Sequence, residues 1–525
     1  MFHLTTDTVI SSVLFAVLLE ILRRSTKRRS SNLPLPPGPP KLPFVGNLHQ
    51  IPSSKEHEVY QQWSEQYAHE DGIIHIDVGG TSIVILNTAK AAADLLDKRS
   101  KIYSSCTRPP MPMVLDLMGW DWNFGLQPYG DNWRAHRRVF LQAFNPNSSK
   151  SFLPKQTKAS HLLLGRLLED PESFMDLLRH HAGEIIMSIA YGIEVLPKDD
   201  PYVTLAQDAI KPLLDAMVPG AFLVDSLPFL KYVPSWMPGA GFKRKAREWR
   251  DLALKMVNQP FSVGKAIIET GDYTTSFVSE SLQKLKENAP GSAHQENLIR
   301  EAAGSMYIAG SDTTVAAIAA FIFAMLAAPD AQRKAQEEID RVAPNRLPTF
   351  EDVKLMPYVT AAIWESLRWK NVLNLGLPHY LEEEDEYCGY RIPKGSTVFS
   401  NIWAILHDER IYPQPFEFKP ERYLQNKEHG IEIDNTFKDS IFTVFGYGRR
   451  ICPGRHMAYA SVWIVAASIL KVFEISKARD EFGNIVEPLY VPQSLIISTP
   501  LPFKCSIKPR SAEAEELIMA VRDVK

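Results

Sequence analysis

Only four cysteines occur in 525 residues, Cys106, Cys388, Cys452 and Cys505, and no two form a C-x-x-C pair. That scarcity excludes a disulfide scaffold and leaves no local signature for a structural zinc or iron–sulfur site. A cysteine that does chemistry here acts alone. Neither G-x-G-x-x-G nor G-x-x-x-x-G-K-[ST] is present, so the usual cradles for flavin, nicotinamide and nucleotide are missing. Redox chemistry would have to draw its electrons from another protein. An excess of charge is lacking too: 58 Lys+Arg against 61 Asp+Glu leave a net charge of -3, no field that favours nucleic acid. Mean hydropathy is -0.16, which excludes a protein with many membrane spans. With 45% hydrophobic and 23% charged residues, the chain is neither disordered nor fibrous.

One apolar run stands near the N-terminus, Val9 to Leu19 within Leu4 to Leu22, and RRSTKRR follows at Arg23 to Arg29. A span of about 20 residues flanked by cytosolic basic residues predicts a membrane anchor over residues 1–22. Met1 to Val9 has no Lys or Arg, unlike a cleaved signal peptide. Residues 23–40 read as a basic stop-transfer and a hinge, with Pro34, Pro36, Pro37, Pro39 and Pro40 around Gly38. Proline fixes φ and lacks an N–H donor, so this piece is extended and stiff. A buried N-terminal helix and a linker with no orienting role are the alternatives.

Residues 41–525 show no internal repeat and no Pro/Gly/Ser-rich break after residue 45, which predicts one large domain. Gly72 to Asn87 alternates in two runs about Gly79-Gly80 and predicts a β-hairpin. Most of Asn132 to Glu382 is helix-patterned, with a long helix at Glu301 to Ala328. Its apolar run, Val315 to Ala327, is too short for a second span, and Asp312 precedes it. Strand-like pieces return at Tyr390 to Phe399 and near the C-terminus. The expected fold is mainly α with small β-sheets.

Phe445 to Gly454 reads FGYGRRICPG, and an almost wholly apolar helix pattern follows. Cys452 thus sits in a glycine-bracketed loop before a helix N-terminus, where N–H groups and the helix dipole favour a thiolate. Such a thiolate is a good axial ligand for haem iron. An ordinary buried cysteine is the simpler alternative. Yet 25 Phe, 27 Gly and 4 Cys give Phe at -7 and Gly at -4 from a cysteine in only about one chain in a hundred by chance.

This loop resembles the haem-binding loop of the cytochrome P450 superfamily, F-x-x-G-x-R-x-C-x-G, at every fixed position. AGSDTT at Ala309 to Thr314 resembles that family's oxygen-activating segment. ESLR at Glu365 to Arg368 resembles its E-x-x-R, and PERY at Pro420 to Tyr423 its P-E-R-F. WRAHRR at Trp133 to Arg138 resembles its haem-propionate helix, and the Pro-rich start resembles the hinge of microsomal members. The likeness runs from about residue 34 to residue 508, and is strongest to fungal microsomal monooxygenases of secondary and xenobiotic metabolism.

The resemblance implies haem b with Cys452 as the proximal iron ligand, shielded by Phe445. Arg450, Arg137, Trp133 and His379 would meet the propionates, since Arg suits carboxylates and His and Trp can each donate one bond. Glu365 and Arg368, three apart on one helix face, would join Arg422 in a buried supporting network. Asp312 and Thr313 would bring protons to bound dioxygen, and Gly310 would let the helix open there. A Thr bonding its own backbone beside an exposed Asp312 is the plainer reading.

The implied reaction inserts one oxygen atom from O2 into a small hydrophobic substrate of terpenoid, indole or polycyclic aromatic type. Electrons would come from NADPH through NADPH-cytochrome P450 reductase, with cytochrome b5 as a further partner. The implied location is the endoplasmic reticulum membrane, on a single-pass anchor with the catalytic domain in the cytosol. The Asn147-Ser148-Ser149 sequon would then stay unmodified. Met118, Trp120 and Trp122 match the variable region over the pocket, and either line it or pack in the core. Asn371 to Leu377 and Ser494 to Thr499 would face substrate. The prolines frequent after ESLR are absent from WKNVLNLGL. An isomerase or dehydratase on the same scaffold, or a non-catalytic haem-binding protein, are the rival readings; the Asp312-Thr313 pair argues against both.

Overall fold

Gly79 and Gly80 turn the chain with φ of 57° and 86°, so Ile73–Val78 (β1) folds back antiparallel onto Thr81–Leu86 (β2). Both glycines in the left-handed region suit a tight two-residue turn whose twist matches the strands. The expected hairpin is thus found in register, with Val78 opposite Thr81. The computed structural model describes residues 33–522, apart from 44, 107–110, 219, 286–290, 428–429 and 493–495. The anchor expected over residues 1–22 and the basic stretch after it lie outside the described residues.

Further strands are Ser105–Cys106 (β3), His379–Tyr380 (β4), Asp385–Tyr387 (β5), Tyr390–Ile392 (β6) and Thr397–Ser400 (β7). One sheet has the order β1-β2-β7-β4-β3, in which only β2 and β7 run parallel. β5 pairs with β6, Leu424–Lys427 (β8) with Gly430–Ile433 (β9), and Phe473–Lys477 (β10) with Cys505–Pro509 (β11). The Pro-rich stretch is docked on this sheet region. The N–H of His75 donates to Pro37 O at 2.8 Å, and that of Arg391 to Pro34 O at 2.8 Å. A Cβ on Gly38 would stand 2.2 Å from His75 O, so only glycine permits this approach. The stretch up to residue 40, expected as a hinge, therefore packs against the domain in its described part.

Helices make up most of the remainder. The longer ones are Glu56–Tyr67 (α1), Asp131–Phe144 (α2), Leu153–Glu169 (α3), Phe174–Tyr191 (α4), Pro201–Met217 (α5), Gly241–Glu269 (α6), Ser292–Ala327 (α7), Pro329–Val342 (α8), Pro357–Trp369 (α9), Arg455–Val472 (α10) and Ala512–Arg522 (α11). The central helix α7 begins well before the expected Glu301, because its polar first turns still bury Leu298 and Ile299. Among the described residues it alone is long and apolar enough to cross a membrane. Its apolar window is 67% buried inside the protein, which marks a core helix rather than a span.

Two apolar cores meet along α7. Its N-terminal half, through Met306 and Tyr307, packs with α2, α4, α5 and α6. Its C-terminal half, Val315 to Leu326, packs with α3, α8, α9 and α10. Between them, Ile308 to Thr313 is the interval where the helix is not fully buried, and Ala309 is exposed. An interval of partial exposure inside an otherwise buried helix marks the lining of a cavity.

Candidate active site

The Cys452 loop is shaped by its glycines. Gly448 has φ 51°, and a Cβ there would stand 2.5 Å from Leu96 O. Gly446, at φ 80°, completes the reversal. The Cys452 N–H donates to Phe445 O at 2.7 Å, closing the loop on itself. Phe445 lies with its ring 5.5 Å from that of Phe442. Gly454 caps α10, so the cysteine stands just ahead of a helix N-terminus, as expected. Burial pushes the Cys452 thiol up, outweighing the Gly454 N–H and the Arg137 and Arg455 charges that favour the thiolate. A metal bound to the sulfur would favour the thiolate further.

Around the loop stand groups without an anionic partner. Trp133 lies between two guanidinium groups, Arg450 at 4.6 Å and Arg137 at 5.8 Å from its ring. Its Nε1 is buried and bonds nothing. Arg137 Nη2 donates to Ile451 O at 2.6 Å. Arg450 donates to the carbonyls of Ser104, Phe124 and Gln127. Among the described residues no carboxylate lies within ion-pair distance of either arginine, and burial pushes both pKa values down. Two half-buried cations without a carboxylate partner and an orphaned indole N–H are incomplete alone; a group bearing two carboxylates would satisfy them. These residues therefore fit a haem. His379, expected at the propionates, lies on β4 and is buried. Its Nδ1 donates to Tyr103 O at 2.7 Å, and burial holds its pKa down at about 4.

On α7 the expected local opening at Gly310 is not seen: the helix runs on through it. Gly310 instead allows close packing on α4, where a Cβ would stand 3.1 Å from Ile186 Cδ1. Thr313 Oγ1 donates to Ala309 O at 2.6 Å, the self-bonding of the plainer reading. Asp312 departs from that reading, being half-buried. Burial pushes its carboxyl up, opposed by Arg179 on α4 and by the Thr499 hydroxyl. Neither neighbour is legible locally, because both come from segments far away in the chain.

Glu365 and Arg368 are completely buried and joined by bonds of 2.7 and 2.9 Å. Arg422 Nε donates to Glu365 Oε1 at 3.2 Å, as expected. The Tyr423 hydroxyl and the Lys419 N–H also donate to it, both at 2.9 Å, and were not foreseen. Met118, Trp120 and Trp122 are core residues, with Trp122 packed against Gly304 of α7. The Ser498 N–H donates to Val372 O at 2.8 Å, so the two segments expected to face substrate adjoin each other.

A sequence model of the family "Cytochrome P450" matches residues 36–504. The chain belongs to the cytochrome P450 family. It is 45% identical to Cytochrome P450 monooxygenase 98 of Postia placenta over 97% of this chain and 96% of that protein. It is 44% identical to the Cytochrome P450 monooxygenase ple1 of Rhodocybe pseudopiperita, over 93% and 91% of the two chains. Tryptamine 4-monooxygenase of Psilocybe cyanescens is 40% identical over 95% and 97%. This P450 is accordingly an oxidoreductase, a haem monooxygenase of the fungal secondary-metabolism type, whose iron is held by a cysteine thiolate. It uses O2, a small-molecule substrate and a redox partner.

Proposed function

We propose that Cys452 is the axial ligand of this P450's haem, and that the enzyme oxygenates small hydrophobic compounds of terpenoid, indole or polycyclic aromatic type. The observation that carries the site is the set beside the cysteine: the Trp133 N–H, which has no acceptor, and the Arg137 and Arg450 cations, which bond carbonyls but no carboxylate. These three would hold the propionates. Bound haem supplies dioxygen binding and oxygen transfer. The protein's part is to position and to move protons. The Thr313 hydroxyl, beside exposed Ala309, can turn from its own backbone to donate into the cavity. Asp312 holds a proton more readily than an exposed carboxyl does, and Arg179 beside it favours its release. Alternation between those states at one carboxyl oxygen suits a relay.

Electrons come from NADPH through NADPH-cytochrome P450 reductase, with cytochrome b5 as a second donor; the absence of nucleotide cradles supports an external source. Residues 1–22 anchor the protein in the endoplasmic reticulum membrane by one pass, leaving the catalytic domain cytosolic; the basic residues from Arg23 support that orientation. The indole option is supported by the relative named for tryptamine. Coexpression with a fungal reductase and a panel of terpenoid, indole and polyaromatic compounds tests the reading. Oxygenated, NADPH-dependent product is expected; turnover without NADPH would favour an isomerase instead. Cys452→Ala should abolish both activity and the red-shifted carbonyl band of thiolate-bound haem.

A further inference from the structure

His136 is fully buried, on the face of α2 that also carries Trp133, Arg137 and Phe140. Its Nε2 lies 2.9 Å from Glu301 Oε2 on α7, and its Nδ1 2.9 Å from Asn132 O. Asn132 O is an acceptor, so Nδ1 donates to it, and Nε2 shares one hydrogen with the Glu301 carboxyl. Phe124 stacks on the imidazole, centroids 6.0 Å apart and planes within 15°. The same Phe124 offers its carbonyl to Arg450 Nη1 at 3.4 Å. Gln127, whose carbonyl takes Arg450 Nη2, accepts through Oε1 from Asn132 Nδ2 at 3.2 Å. One imidazole thus touches each piece that places the candidate propionate donors: α2 with Trp133 and Arg137, the 124–127 segment that holds Arg450, and α7 behind them.

We infer that His136 is a positioning residue for the haem propionates, tying α2 and the 124–127 segment to the distal helix through Glu301. The inference rests on the assignment of Trp133, Arg137 and Arg450 as propionate donors. Buried hydrogen bonds to a charged partner fix geometry strongly, and losing one partner leaves the other unsatisfied. Without His136, α2 is free to shift from α7, and the two guanidinium groups no longer converge. Buried cations close to the carboxylates favour the more negative, reduced haem, so loosening them lowers the midpoint potential.

The test compares full-length wild type, His136→Phe, Glu301→Gln and Arg137→Ala as holoenzymes. Haem loss to an apomyoglobin acceptor and the haem midpoint potential are the readouts. His136→Phe should lose haem about tenfold faster, at a lower potential, while its reduced carbonyl band stays that of a thiolate-bound haem. Glu301→Gln should fall between it and wild type. Wild-type haem loss and potential in His136→Phe would overturn the inference. Should that variant fail to fold, unchanged haem loss and potential in Glu301→Gln would overturn it equally. If Arg137→Ala also keeps haem as wild type does, the donor assignment itself is what falls.

Discussion

Arg368 grips Glu365 through two hydrogen bonds, 2.7 Å from Nε and 2.9 Å from Nη2, with both side chains shut off from solvent. Two buried charges are tolerated because every oxygen of the carboxylate is engaged, by Arg368, Arg422, Tyr423 and the Lys419 N–H together. Arg368→Ala removes the carboxylate's two closest charged donors and leaves its burial only partly compensated, which should cost roughly 3–5 kcal/mol. Thermal unfolding should show a large fall in Tm and loss of bound haem. Arg422→Ala, whose partner keeps three other donors, should cost less.

Gly448→Ala should damage the cysteine loop more than the exchange of one hydrogen for a methyl suggests. The residue has φ 51°, and the added Cβ would stand 2.5 Å from the Leu96 carbonyl. Left-handed strain alone costs about 1–3 kcal/mol, and the collision adds to it. Haem content per protein should fall; a variant that retains full haem would contradict the packing.

Thr313→Ala should leave folding nearly untouched, because the hydroxyl bonds only its own helix, at Ala309 O. Coupling is the property that should suffer. NADPH consumption should continue while product falls and hydrogen peroxide rises. Unchanged coupling would defeat the role given to this hydroxyl.

Acid should unfold the protein through its buried histidines. Burial holds His181 and His407 down at about 3, and His57 and His75 at about 4, against an ordinary value of 6.5. Below 6.5 the unfolded chain takes up protons that the native fold refuses, so stability rises with pH across this window. Tm should therefore drop as pH falls from 6.5 toward 4, and His181→Gln should flatten that slope. A Tm independent of pH over the same interval would refute the account.

Some of this was written locally. The hairpin about Gly79-Gly80, the buried helix after Cys452 and the Glu365–Arg368 pair needed only spacing and residue type, because turn geometry and helix periodicity are properties of short segments. Contacts across the chain were not legible. Arg179 and Thr499 reach Asp312 from opposite parts of the sequence, and Tyr423 completes the Glu365 site from another element. Gly310 looked like a place for a helix to open, and packing against Ile186 made it a point of close approach instead.

By itself, the order of amino acids determined which cysteine stands in a tight glycine loop and which side chains are available around it. Which arginines lack a counter-ion, and which of two tryptophan roles applies, were decided only by the tertiary fold. Burial and electrostatic balance depend on the distance between groups that chain folding brings together, and no local pattern carries those distances.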